Sequence, residues 1–285
     1  MTVLKTSWVD LRVCLLLAIA LAAGSCAPLQ PPGATGPRGN EPLYPLIFAS
    51  DDQRREAAQS AVARLFQPAD TGPSPQLQRV TATIESLPAN ASRPLYLPKL
   101  GTAAVMTEEE TRESLRRFIR EWQELIGADP AKLSLVARVD EPDGTKLATY
   151  EQRPFRYPIR GNYGKLLIRF APDRRVLNIS STCIPDADRL QTALAPISPR
   201  LQAEEVITAV RTNPINYSDA SGTQVNLKLA ATSEISPREL VTYIVPSQSN
   251  ADALEFHIAW EVELTNAPVK KVYVDAVNGE IIAAE

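Results

Sequence analysis

An alternation of apolar and polar residues near the C-terminus predicts a long strand. In the segment Leu254–Leu264 (LEFHIAWEVEL), nearly every second residue is apolar, and the intervening positions carry glutamates and His257. This period of two is typical of a strand with one buried and one solvated face. We therefore expect Trp260 to lie in the core and His257 to lie on the solvated face.

A helical period predicts the clearest helix of the chain over Thr107–Ile126. Its apolar residues recur every three or four positions, at Leu115, Phe118, Ile119, Trp122, Leu125 and Ile126. Thr107 and Glu110 have the spacing of a capping box, and Gly127 is a typical residue at a helix end. We expect the apolar stripe, with Trp122 as an anchor, to lie on a sheet.

Shorter patterns predict the remaining elements. Helices are expected over Asp51–Phe66 and from Ser198, whose side chain would cap a helix that has Pro199 in its first position. The pairs Asp143-Gly144 and Asn278-Gly279 each predict a hairpin turn. The further strands expected, in chain order, cover Leu77–Leu87, Lys132–Val139, Leu147–Gln152, Tyr163–Phe170, Arg175–Ser180, Lys270–Asp275 and Glu280–Ala283.

This order of elements indicates an α+β fold made of two modules, each with a helix packed on an antiparallel sheet. The first module, with an N-terminal extension, is expected to span residues 46–186, and the second is expected to span residues 197–285. The break between them is predicted near Pro185 to Pro199, because prolines interrupt the periodic pattern there.

The first 25 residues have the pattern of a secretory signal peptide. Lys5 and Arg12 precede an apolar run of 11 residues, Val13–Ala23. This run is shorter than the roughly 20 residues that a membrane-spanning helix needs. The run ends in Ala23-Gly24-Ser25-Cys26, which resembles a bacterial lipobox, where the cysteine is lipidated and becomes the first residue of the mature chain. An ordinary signal peptide followed by an incidental cysteine is the alternative.

Residues 26–45 are rich in proline and glycine and predict a disordered tether. They have no apolar period and therefore contribute no core. A lipoprotein needs such a spacer to hold its folded part away from the membrane. We therefore predict an exported protein that is held in the cell envelope, at the periplasmic face or cell surface, by a lipid on Cys26.

Composition and charge argue against nucleic-acid binding. The 285 residues include 30 Lys and Arg and 33 Asp and Glu, which gives a formal net charge of −3. Such a chain has no surplus of positive charge for phosphates, and it has no basic cluster with interleaved aromatic residues. An apolar content of 44% is enough for a packed core.

Two stretches together resemble the propeptide region of thermolysin-like metallopeptidases. Residues 107–186 are similar to the fungalysin/thermolysin propeptide module, whose strand motif is matched by Thr149–Gln152 (TYEQ). Residues 198–285 are similar to the PepSY module, most specifically in Trp260, Val262 and Tyr273–Ile281 (YVDAVNGEI). The resemblance implies two modules with a helix on an antiparallel sheet, and a protein partner such as a secreted peptidase that the chain inhibits or assists in folding.

Few residues offer catalytic chemistry. A thermolysin-like peptidase binds zinc through H-E-x-x-H, whereas this chain has one histidine, His257. His257 would suit a general base or a pH switch, but no nucleophile is identifiable beside it. Cys183 is expected to be a small buried apolar residue. We therefore predict no enzyme activity, no catalytic residue, no metal and no cofactor.

Three functions stay open on the sequence. The first is a lipoprotein that binds a protein partner through an exposed sheet face or edge. The second is a structural or glycan-associated envelope lipoprotein that is unrelated to peptidases. A hydrolase that uses scattered carboxylates comes last, because no motif supports it.

Overall fold

The structure is a computed structural model that describes residues 43–66, 75–87, 94–102, 106–153, 155–219 and 221–285. All of these residues belong to one compact unit. The predicted signal peptide, the predicted lipidation site Cys26 and most of the predicted tether lie outside the described residues. The last three positions of the predicted tether, residues 43–45, are described, and Tyr44 packs against a buried core cluster. None of the helices in the described ranges is long and apolar enough to cross a membrane.

Five α-helices and fifteen strands make up the described part of the chain, which confirms the α+β class. The helices are α1 (Asp52–Phe66), α2 (Glu108–Glu121), α3 (Gln123–Ile126), α4 (Ala187–Leu194) and α5 (Ala203–Thr212). The first nine strands are β1 (Leu46–Ala49), β2 (Gln76–Leu77), β3 (Ile84–Ser86), β4 (Leu95–Tyr96), β5 (Leu133–Asp140), β6 (Lys146–Gln152), β7 (Ile159–Arg160), β8 (Lys165–Phe170) and β9 (Arg175–Ser181). The others are β10 (Ile215–Ser218), β11 (Gln224–Leu227), β12 (Glu234–Pro246), β13 (Ala253–Thr265), β14 (Lys271–Asp275) and β15 (Ile281–Ala284).

An antiparallel sheet with the strand order β4-β9-β8-β6-β5 forms the N-terminal half, which we call the N-terminal sheet. Helices α2 and α3 carry the predicted apolar stripe onto it, and both helices share one buried cluster with β6, β8 and β9. Trp122 lies at the α2–α3 junction, stacks on Phe118 at 5.2 Å and is 3% exposed. The predicted capping box is present: the Glu110 backbone N–H donates to Thr107, and the Glu110 carboxylate accepts the Thr107 N–H.

A second sheet, the C-terminal sheet, has the order β15-β14-β13-β12-β7, and β1 pairs with β13 beside β14. Strand β7 pairs with β12 in parallel, and the other pairs are antiparallel. Strands β1 and β7 therefore join this sheet although they come from residues before 186, where the first module was predicted to end. Gly279 adopts φ +81° in the predicted β14–β15 turn, a conformation that glycine reaches without strain.

Helices α4 and α5 pack on one face of the C-terminal sheet. Leu190 and Leu194 of α4 join the cluster of Phe256 and Ile258, while α5 packs over Val262 and β14. The half-buried Trp260 faces the same side, and its indole N–H donates to the Leu201 carbonyl just before α5. Its predicted place under the second helix is therefore confirmed, with less burial than was expected.

Three predicted elements were wrong in detail. Leu77–Leu87 is a short hairpin of β2 and β3 rather than one strand, because the chain turns back between them. The predicted break after Pro185 contains α4, which three buried apolar residues one helical turn apart stabilise. The second helix begins after Gln202 rather than at Pro199, because the Arg200 and Leu201 N–H groups donate to the Ala276 carbonyl outside the helix.

Candidate functional site

His257, the one histidine, is buried rather than exposed on a solvated face. The residue is 7% exposed, and its Nδ1 lies 2.7 Å from Oδ2 of the fully buried Asp275. Its other ring nitrogen, Nε2, lies 3.4 Å from a carboxylate oxygen of Glu255. The predicted face was wrong because β13 is covered on both sides at its centre, which the alternating pattern does not reveal.

Tyr44 completes this network from the N-terminal end of the described chain. Its hydroxyl donates to Asp275 Oδ2 at 2.8 Å and accepts the backbone N–H of Ile258 at 2.9 Å. Ile258 lies between the stretches of β13 that pair with β1 and with β14. The Tyr44 hydroxyl thus satisfies a backbone group in the gap where these two strands meet end to end. Burial, together with the nearby Asp275 carboxylate, raises the pKa of Tyr44.

Asp275 connects the network to the turn after β14. Its Oδ1 accepts the backbone N–H groups of Val277 and Asn278 at 2.8 and 3.1 Å. Its Oδ2 is hydrogen-bonded to the Tyr44 hydroxyl and to His257 Nδ1. Both carboxylate oxygens are therefore occupied, and no buried side-chain nitrogen or oxygen of the described residues lacks a partner. We infer that this histidine–aspartate pair holds the sheet together, because its hydrogen bonds join β13 to the end of β14 and to the turn that follows.

A charged cluster lies on the same side of β13. Glu261 is 7% exposed and accepts hydrogen bonds from Arg160 Nε and Lys271 Nζ, each at 2.8 Å. Arg160 also donates to Glu239 at 2.6 Å, which fixes β7 against β12. Burial disfavours the charged form of Glu261, but the hydrogen bonds from Lys271 and Arg160 outweigh it and lower the pKa. The cluster is thus an ion network between neighbouring strands.

Cys183 is separated from His257. It is fully buried in the core between the N-terminal sheet and α2–α3, as the sequence predicted, whereas His257 lies on the C-terminal sheet. Burial raises the pKa of the Cys183 thiol to about 12, so the thiolate that a nucleophile requires is disfavoured. The described ranges contain no group of three or more His, Cys, Asp and Glu residues arranged to hold a metal ion.

The described surface includes a cleft and a strand edge that are accessible to other molecules. The first is a cleft of about 510 Å³ between the two sheets, lined by the segment from Phe155 to Arg160 and by the start of β8. The second is strand β5, which is the last strand on its side of the N-terminal sheet. Val136 and Val139 on β5 are 41% and 52% exposed. The sequence contained the residues of both features but no motif that marks them.

The roles of Tyr44 and Asp275 were also not predicted. The sequence places Tyr44 in the predicted tether and Asp275 at the end of a predicted strand, within the YVDAVNGEI motif. The proximity of Asp275 to the NG turn was visible, but its pairing with His257 depends on the register of β13 and β14, in which Asp275 faces Ala259. That register places Asp275 and His257 on the same side of the sheet.

Comparisons with known proteins leave the family unassigned. No family model matches the chain, and no curated protein is significantly similar to it. Among solved structures, it is similar to an uncharacterized protein from Eubacterium rectale ATCC 33656 with 10% identity, 84% of each chain covered and a TM-score of 0.33. A likeness of this size carries no argument about function, and the resemblance to metallopeptidase propeptides stays a prediction.

Proposed function

We propose that the mature chain is a non-catalytic, lipid-anchored envelope protein that binds a protein partner along the β5 edge of the N-terminal sheet. The observation that carries this proposal is the eight-residue edge strand β5 with its exposed Val136 and Val139. The unpaired backbone groups of such an edge can pair with an extended segment of another chain.

The local geometry of β5 limits where a partner strand would pair. Strand β5 has a register shift against β6 between Leu135 and Ala137, which leaves Val136 in a bulge. A bulge is one device by which proteins restrict uncontrolled edge pairing. From Ala137 to Asp140 the pairing with β6 is regular. This half of β5, which includes Val139, is therefore the part that we assign to the partner.

The non-catalytic part of the proposal is supported by the surroundings of the two candidate catalytic residues. His257 has partners at both ring nitrogens, and Cys183 is buried. The propeptide resemblance of the sequence favours a secreted peptidase as the partner, which the chain would inhibit or assist in folding. A structural or glycan-associated role unrelated to peptidases is the alternative.

Partner binding is tested with a charged substitution on the β5 edge and a matched one on β9. The mature protein and its Val139→Lys and Leu177→Lys variants are used to capture proteins from an envelope and culture-fluid extract of the source cells. Leu177 is the matched control, because it is 39% exposed on β9, away from the β5 edge. We expect one defined protein to be captured by the wild type and by Leu177→Lys, and lost with Val139→Lys. Equal capture by all three would contradict the edge assignment.

Lipid anchoring has a separate test. Radiolabelled palmitate is expected to enter the wild-type protein but not the Cys26→Ala variant, because the thiol of Cys26 is the proposed attachment point. Equal labelling of both proteins would exclude Cys26 as the lipidated residue. Loss of the lipid with retained partner capture would separate the anchor from the binding function.

A further inference from the structure

The cleft between the two sheets has the size of a small-ligand site. Its volume of about 510 Å³ lies within the range of roughly 300–1,000 Å³ that ligand sites occupy. The end of β6 forms one wall, the segment from Phe155 to Arg160 forms the second, and Tyr163 to Lys165 at the start of β8 forms the third. Glu239 of β12 closes one side.

Positive charge is concentrated in this cleft, although the protein carries a net charge of −3. Four basic residues line it, namely Arg153, Arg156, Arg160 and Lys165, against the acidic residues Glu151 and Glu239. Arg160 is occupied by Glu239 and Glu261, and Arg153 approaches Glu151 at 3.9 Å. Lys165 forms no ion pair within the described ranges, and the guanidinium of Arg156 lies over the Tyr157 ring. The cleft therefore offers two cations to an anionic group.

Aromatic side chains form the other part of the lining. Phe155, Tyr157 and Tyr163 are half-buried and pack against the core cluster of the C-terminal sheet. The ring of Phe155 lies 6.1 Å from that of Phe256, which fixes its position. Rings that are held by a core provide rigid apolar surface at little cost in conformational entropy.

The mixture of charges narrows the ligand class. A small inorganic anion would meet the carboxylates of Glu151 and Glu239 as well as the cations. A sugar that carries a carboxylate suits the cleft better. Its hydroxyls can donate to the glutamates, its carboxylate can pair with Arg156 and Lys165, and its C–H surface can rest on the aromatic rings. We propose that this cleft binds an anionic saccharide, a sugar ring that bears a carboxylate.

Two sugars that differ only in the carboxylate arm test this proposal. N-acetylmuramic acid is N-acetylglucosamine with a lactyl ether, so titration of the mature protein with each, followed by calorimetry or NMR, isolates the anionic group. We expect N-acetylmuramic acid to bind saturably. N-acetylglucosamine should bind with an affinity about tenfold lower or weaker still, because charge-assisted hydrogen bonds are stronger than neutral ones. Raising the salt concentration should weaken the binding of N-acetylmuramic acid and leave the binding of N-acetylglucosamine unchanged, because salt screens only the charged interaction.

Matched variants locate the binding. Arg156→Ala and Lys165→Ala should each raise the Kd for N-acetylmuramic acid by about tenfold. Lys132→Ala should leave it unchanged, because Lys132 pairs with Asp188 outside the cleft. Thermal melting establishes that each variant is folded. The proposal is overturned if N-acetylmuramic acid does not saturate, if both sugars bind equally, or if the two cleft variants bind like the wild type. Partner capture at β5 is independent of all these outcomes.

Discussion

The Nδ1 atom of His257 lies 2.7 Å from Oδ2 of Asp275, and both residues are buried on the neighbouring strands β13 and β14. Asp275 also receives the Tyr44 hydroxyl and two backbone N–H groups of the following turn. One carboxylate therefore joins Tyr44, the centre of β13 and the β14–β15 turn. This relationship assigns to His257 a role in stability, whereas the sequence predicted a residue on the solvated face of the strand.

Replacement of His257 by alanine should destabilise the protein by about 1–3 kcal/mol, because it removes one hydrogen-bond partner of the buried Asp275 carboxylate. Urea denaturation of His257→Ala measures this cost. Glu263→Ala is the matched control on the same strand, since Glu263 is exposed and pairs only with Arg238, and it should cost less than about 0.5 kcal/mol. If His257→Ala is as mild as this control, the network contributes nothing to stability.

Removal of the Tyr44 hydroxyl tests the junction of β1 and β14. Tyr44→Phe keeps the ring but deprives the Ile258 N–H and Asp275 of a partner, so it should cost about 1–2 kcal/mol in the free energy of unfolding. Tyr96→Phe, at a side chain that is 48% exposed, should cost nothing measurable. Equal unfolding curves for the two variants would show that the Tyr44 hydroxyl is dispensable.

The Glu261 ion network should make stability depend on pH in the acid range. Hydrogen bonds from Lys271 and Arg160 outweigh burial and lower the pKa of Glu261 in the folded state. Its contribution is therefore present above the unfolded pKa of about 4.3 and is lost as the pH falls through the lower folded pKa. Relative to wild type, Glu261→Gln should be destabilised at pH 7, and the difference should shrink towards pH 3. A difference that is constant across this range, or one as small as that of the surface variant Glu121→Gln, would contradict the expectation.

The Cys183 thiol should be unreactive in the folded protein. Burial raises its pKa to about 12, so little thiolate forms at neutral pH and reagents cannot reach the sulfur. In a mature Cys26→Ser protein, Ellman's reagent should detect no thiol under native conditions and one thiol per chain in denaturant. Rapid reaction of the native protein would show that Cys183 is accessible and would reopen its assignment as a core residue.

Features determined by neighbouring residues could be predicted from the sequence. The Thr107–Glu110 capping box, the helix end at Gly127 and the Asn278-Gly279 turn all depend on contacts within a few positions, and the structure contains all three. The Leu254–Leu264 strand and the stripe of Trp122 were also predicted, because a regular period extends over many residues.

Features that depend on tertiary contacts could not be predicted in the same way. The alternation in β13 predicted the correct strand but the wrong surroundings for His257, since Asp275 on β14 contacts it and Tyr44, which precedes β1, contacts Asp275. The start of α5 was wrong because the Ala276 carbonyl accepts the N–H groups of residues 200 and 201. The pairing of β1 with β13 links residues about 200 positions apart, a contact that no local pattern specifies.

The central claim, that β5 is the partner-binding edge, is tested most directly by site-specific photo-crosslinking in living cells. A benzophenone amino acid is introduced at Val139, and in a second strain at Leu177, which is similarly exposed away from the edge. We predict one discrete crosslinked protein from position 139 and none from position 177. No crosslinked species at position 139, or the same species from both positions, would contradict the assignment of this edge.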